Sequence, residues 1–131
     1  PQTAPLLLEV QRDLYKMMAE VAATPETVER FRGLHQDRIA WLEARAADLE
    51  MAVRLPSEFI LPGDSPAGAA LALGRAVVRR AERRISVLLE GGELDTPLQL
   101  QYLNRLSSVC FLLELLENGQ AGGETLLAKD T

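Results

Sequence analysis

Hydrophobic residues recur with a helical period along most of this chain, and hydroxyl-proline pairs mark several of the starts. Leu7, Val10, Leu14, Met17, Met18 and Val21 are spaced for one helical face, which predicts an amphipathic helix over residues 3–22. Residues 25–53 continue the period through Val28, Phe31, Leu34, Ile39, Leu42, Ala46 and Leu49. Glu29, Arg32, Asp37, Arg38, Glu43 and Arg45 stand between them, so a second, longer helix is expected. Thr24-Pro25, Ser65-Pro66 and Thr96-Pro97 each put a hydroxyl at an N-cap position and proline at the first helical position, where its missing N–H costs nothing. The third helix is predicted over residues 66–90, stopped by Gly91-Gly92, and the fourth over 97–117, stopped by Asn118-Gly119. No segment alternates as a half-buried strand does. The expected fold is therefore all-α, an antiparallel four-to-five-helix bundle forming one domain over residues 1–131.

Between the second and third helices, LPSEFILPG sets two prolines and a glycine around Phe59, Ile60 and Leu61. This reads as an ordered loop whose apolar centre either plugs the bundle by burial, the commoner fate, or forms a wall facing a cofactor. The last dozen residues, QAGGETLLAKDT, are small and polar enough for a loose tail.

Composition narrows the chemistry. The 131 residues are 47% apolar and 25% charged, which suits one globular domain able to bury roughly two thirds of its unfolded surface. A single cysteine, Cys110, excludes an intrachain disulfide and a CxxC zinc site, and its apolar setting reads as a core thiol. His35 has no second ligand at i+4 and is expected to be exposed, so no metal ligand is assigned. No apolar run reaches the ~18 residues of a membrane span, and no basic-then-apolar signal opens the chain. The expectation is a soluble cytoplasmic protein with no membrane partner.

Charge is distributed unevenly. The net charge is −5, yet five arginines against one glutamate give residues 75–84 a local charge of +4, leaving −9 on the remainder. An acidic whole argues against nucleic acid, whereas a compact cationic island suits a small polyanion such as a nucleotide triphosphate. The bland alternative is a solvated helix face laced with i,i+3 and i,i+4 ion pairs. On a helical wheel Val77, Ala81, Ile85 and Leu88 form the buried stripe of the third helix, and Arg75, Arg79 and Glu82 share a different ridge. An arginine fork fits phosphate oxygens bidentately, and the glutamate can hold the guanidinium or bind a ribose hydroxyl. Asn104, Ser108, Phe111 and Leu115 form a comparable stripe on the fourth helix, able to face the same cleft or merely to satisfy helix packing.

These motifs are similar to those of a known family. FILPGDSPAGAALALGRAVVRRAERR, followed by YLNRLSSVCF, resembles the PduO-type ATP:cob(I)alamin adenosyltransferases, whose signature is FILPGG, then RTVVRRAER, then NRLSD. The likeness extends through WLEARAADLE and EVQRDLYKMMAEVA and so covers nearly all of the chain.

The resemblance implies a homotrimer of helical bundles with ATP and the corrinoid bound where subunits meet. It also implies transfer of the 5′-deoxyadenosyl group of ATP to Co(I), giving adenosylcobalamin and triphosphate, with Mg²⁺ expected alongside ATP. By motif, Arg79 and Glu82 match the nucleotide-binding pair, Arg80 and Arg83 fall in the same segment, and Asn104 matches the ATP-contacting asparagine. Arg75 is similar to an interface arginine paired with an acid of the N-terminal helix. Phe59 looks like the aromatic that keeps the axial base off cobalt's lower face, and Ser108 stands on the corrinoid side.

The sequence departs from the pattern at Ser108 in place of the signature Asp, at Asp64 in place of the second Gly, and at Ala72 near the usual His. It also lacks the family's glycine- and threonine-rich loop that wraps ATP phosphates, so a preceding segment in the native gene is expected if the chain is an enzyme. The alternatives are an inactive relative that binds or senses a corrinoid or nucleotide, and a helical interaction module without ligands.

Overall fold

The computed structural model describes residues 2–122 and 126–128. Over them the chain forms α1 (Thr3–Ala22), α2 (Val28–Phe31), α3 (Gln36–Ala52), α4 (Pro66–Glu90) and α5 (Leu98–Gln120). The architecture is the all-α bundle expected, with only an isolated antiparallel bridge, Ile60 to Leu127, among the described residues. Helix α5 is its centre. Tyr102, Leu103, Leu106, Val109, Cys110, Leu112, Leu113 and Leu116 are buried on several sides of it, and α3 and α4 pack along it. A helix enclosed this way needs no single apolar stripe.

Helix α1 begins and ends as predicted, but its buried stripe runs through Leu6, Val10, Asp13, Met17 and Glu20. Met18, expected in the core, is 65% exposed. The displacement has a polar cause: both acids on the stripe find partners on neighbouring elements. Asp13 accepts from Arg38 Nε at 3.0 Å and from the Tyr102 hydroxyl at 2.7 Å, while Glu20 accepts from Gln99 Nε2 and from the backbone N–H groups of Gly33 and Leu34.

That last contact also breaks the long helix expected over residues 25–53. Residues 32–35 leave helical geometry, Leu34 drops fully into the core, and Arg32 spans Glu29 and Asp95. A β-carbon on Gly33 would come within 3.1 Å of Lys16 Cβ, so a side chain at this crossing would crowd α1. Thr24-Pro25 accordingly opens a turn ahead of the one-turn α2 instead of a long helix.

Helix α4 has the predicted bounds. Ser65 Oγ accepts the Gly68 N–H at 3.0 Å as an N-cap and donates to Asn118 Oδ1 at 2.7 Å, tying the start of α4 to the end of α5. Gly68 permits this approach, because a β-carbon there would lie 2.1 Å from Asn118 Oδ1. The inner stripe is Leu71, Val78, Ala81, Ile85 and Leu88, whereas Val77, assigned to it by the wheel, is 47% exposed. Gly92, at φ 77°, ends the helix as expected. Asn118-Gly119 does not stop α5: with Asn118 buried and held by Ser65, the helix continues to Gln120, and Gly122 takes the left-handed turn at φ 80°. The expected loose tail lies partly outside the described residues, but its residues 126–128 pair with the Phe59 loop.

Candidate active site

Capping by Ser65 fixes the start of α4, and the inner stripe fixes its rotation, so its arginine ridge is carried past α5. Arg79 Nη1 lies 3.5 Å from Glu82 Oε1, and Glu82 Oε2 accepts from Asn104 Nδ2 at 3.1 Å. Asn104 Oδ1 accepts from Arg105 Nη1 at 2.8 Å, and Arg105 Nε donates to Glu43 Oε1 at 3.0 Å. A hydrogen-bonded line therefore crosses from α4 over α5 to α3. Glu82 is the fixed member, with its side chain 18% exposed against 50% for Arg79, which leaves the guanidinium open to solvent and to an anion. The three residues matched to nucleotide binding by motif stand together.

Two hollows meet at this line. One, of about 410 Å³, is lined by Glu82, Arg83, Ser86, Leu100, Asn104 and Arg105 among others. The other, of about 870 Å³, has Phe59, Ile60, Arg75, Arg79, Phe111 and Glu114 in its walls. Phe59 is 89% exposed, so it does not plug the bundle. Its loop is held from the other side: Leu61 N donates to Leu126 O at 2.7 Å and Ala128 N to Phe59 O at 2.6 Å. An exposed aromatic on a tethered loop beside a cavity is a surface suited to a large apolar ligand. Across the cavity, Arg75 lies over the Phe111 ring at 5.2 Å.

The remaining candidates are dispersed. Arg80 and Ser108 are exposed and line neither hollow, and Arg83 lines the smaller one. Ser108 sits one turn from Asn104 and nearly one from Phe111, between the two sites on α5. The ion-paired face foreseen for the arginines is mostly missing: among the described residues only Arg79 of the five forms a salt bridge. Cys110 is buried, and burial pushes its thiol up to about 11 against an opposing pull from Arg75, which suits a core thiol and not a nucleophile.

Sequence reasoning missed Glu114. Its side chain is buried, it borders the larger cavity, and its Oε2 has no hydrogen-bond partner among the described residues. Burial lifts its carboxyl above the ordinary carboxylate range; Arg75 opposes that shift and Asp64 adds to it. The available signal was an acid inside the apolar run FLLELL. Arg105, the link to α3, was likewise passed over.

The sequence profile of the cobalamin adenosyltransferase family matches residues 1–117. The chain belongs to this family. A cobalamin adenosyltransferase of Cupriavidus metallidurans is 36% identical over 121 residues, covering 92% of this chain and 62% of that protein. A corrinoid adenosyltransferase of Bacillus subtilis is 31% identical over 88% of this chain and 58% of its own length. The chain thus spans less than two thirds of either relative. Among solved structures, a variant PduO-type ATP:corrinoid adenosyltransferase from Lactobacillus reuteri, complexed with cobalamin and ATP, aligns with a TM-score of 0.84 at 28% identity, over 96% of this chain and 68% of that one. The bundle therefore has the fold of a family member solved with both ligands bound. Among the described residues, no helix is long and apolar enough to cross a membrane.

Proposed function

We propose that this chain is the helical-bundle part of an enzyme that transfers the 5′-deoxyadenosyl group of ATP to the Co(I) centre of a corrinoid, releasing triphosphate. The observation that carries the reading is the Arg79, Glu82 and Asn104 line, whose Arg79 end borders the cavity beside Phe59 and whose Glu82 and Asn104 border the smaller hollow. In the reaction, cobalt's electron pair forms a bond to C5′ while the C5′–O bond breaks toward the phosphate. The required aid is orientation of two large molecules and stabilisation of a highly anionic leaving group. Arg79 supplies the charge, Glu82 holds it in place, and Asn104 fixes Glu82. Phe59 stands against the lower face of the corrin ring and keeps an axial base from cobalt; Ser108, the motif's corrinoid-side position, lines neither hollow and is given no contact in this reading.

Arg80 and Arg83 add to the field that draws in ATP, and Arg75 contributes from a subunit boundary in a cytoplasmic homotrimer. Magnesium is expected with ATP, but the described residues include no group of three acidic, histidine or cysteine side chains able to cage a metal, so no protein ligand is assigned to it.

The complete gene product, mixed anaerobically with cob(I)alamin and ATP, should develop the visible spectrum of adenosylcobalamin. Corrinoid binding without conversion would identify an inactive relative, and absence of both binding and conversion would defeat the reading.

A further inference from the structure

The larger cavity contains a group that adenosyl transfer by itself does not require. Glu114 lies nearly one turn beyond Phe111 on α5, is only 3% exposed, and borders the same cavity as Phe59 and Arg75. Its Oε2 is buried and has no hydrogen-bond partner among the described residues, and the same holds for Oδ2 of Asp64 near the start of α4. A buried carboxyl oxygen without a partner is costly in a folded protein, and because Glu114 borders the cavity, a turn of its carboxyl group toward that wall lets a ligand's polar group supply the partner.

We propose that Glu114 is a specificity-determining residue of this cavity: its free Oε2 hydrogen-bonds a carboxamide at the edge of the corrin macrocycle and selects corrinoids carrying amides over those carrying free carboxylates. This rests on the reading of the cavity as the corrinoid site. The selection follows from hydrogen-bond inventory. A carboxamide offers both an N–H donor and a carbonyl acceptor, so it satisfies Glu114 whether the carboxyl is ionised or not. A ligand carboxylate only accepts, so it pairs with Glu114 only when one of the two carboxyl groups holds a proton, and otherwise it sets a second negative charge beside Glu114 and the nearby Asp64. Arg75 offsets part of that repulsion, but its guanidinium is exposed and lies over Phe111, whereas Glu114 is buried.

The discriminating experiment compares cobalamin with its ring monocarboxylic acids, each having one corrin-edge amide hydrolysed. Equilibrium binding to the complete gene product and to its Glu114→Gln variant is measured at neutral pH by visible absorption. The parent should bind cobalamin about tenfold tighter than at least one acid isomer, and Glu114→Gln should cut that preference to about threefold or less, mostly by tightening the acid. Gln presents an N–H donor to the ligand carboxylate and removes the charge. Glu114→Ala, which offers neither donor nor acceptor, should weaken cobalamin itself. A parent that binds cobalamin but shows the same preference in Glu114→Gln overturns the inference alone. A parent that binds no cobalamin overturns the corrinoid reading and this inference with it.

Discussion

Helix α5 has buried carboxyl groups on two sides, and they are treated in opposite ways. Toward α1, Asp13 and Glu20 are saturated: each oxygen of each acid accepts at least one hydrogen bond, from Arg38, Tyr102, Gln99 or the 33–34 backbone. On the side of the Phe59 cavity, Glu114, and near it the half-buried Asp64 ahead of α4, each keep a buried oxygen without a partner among the described residues. Saturated acids lock one helix onto another, since moving α1 would strand several polar groups at once. An unsaturated acid contributes nothing comparable to the fold and leaves a valence for something outside it. The contrast separates architecture from recognition within one small bundle.

The comparison can be broken by mutation. The largest stability effect is expected on the saturated side: Asp13→Ala strands the Tyr102 hydroxyl and the partly buried Arg38, and should cost about 3 to 4 kcal/mol in denaturant unfolding. A loss under about 1 kcal/mol would mean the network is ornamental. Next, Arg79→Ala in the complete protein should lower turnover by about thirtyfold or more, on the order of 2 to 4 kcal/mol, with the fold retained by circular dichroism. Unchanged turnover and ATP affinity would remove Arg79 from the site.

Glu114→Gln should leave stability at pH 7 within about 1 kcal/mol of the parent, or raise it. The pH dependence gives the sign. Burial raises the folded-state pKa, so in the window between the ordinary carboxylate value and the raised one the native state holds a proton that the unfolded chain has released. Stability contributed by Glu114 is therefore fully present below that window and lost as pH rises through it, and the Gln variant should lack this slope. The smallest change in stability is expected at Phe59, which is 89% exposed: Phe59→Ala should shift unfolding by less than about 0.5 kcal/mol. The same variant should preserve ATP binding yet impair formation of the base-off Co(II) corrinoid, read in the visible spectrum. Equal conversion in both proteins would detach Phe59 from cobalt.

Local signals carried much of the fold. The bounds of α1 and α4 follow from spacing, Ser65-Pro66 and Gly91-Gly92, because capping and left-handed turns depend on a few adjacent residues. The long helix over residues 25–53 failed because the agents that break it, the Glu20 carboxylate and Asp95, lie elsewhere in sequence. The same cause moved the α1 stripe off Met18: an acid reads as surface until its partners are known.

At the site, the chain by itself determined which residues could share a ridge, since helical period places Arg75, Arg79 and Glu82 together, and it determined the family likeness through FILPG and NRLS. Tertiary structure alone decided that Glu82 meets Asn104, that Phe59 stands outside the core, and that Glu114 is buried without a full set of partners. Periodicity fixes angles about one helix axis. Hydrogen-bond saturation and exposure depend on the distance between axes, which capping at Ser65, the absence of a side chain at Gly68 and the packing of α4 on α5 set together.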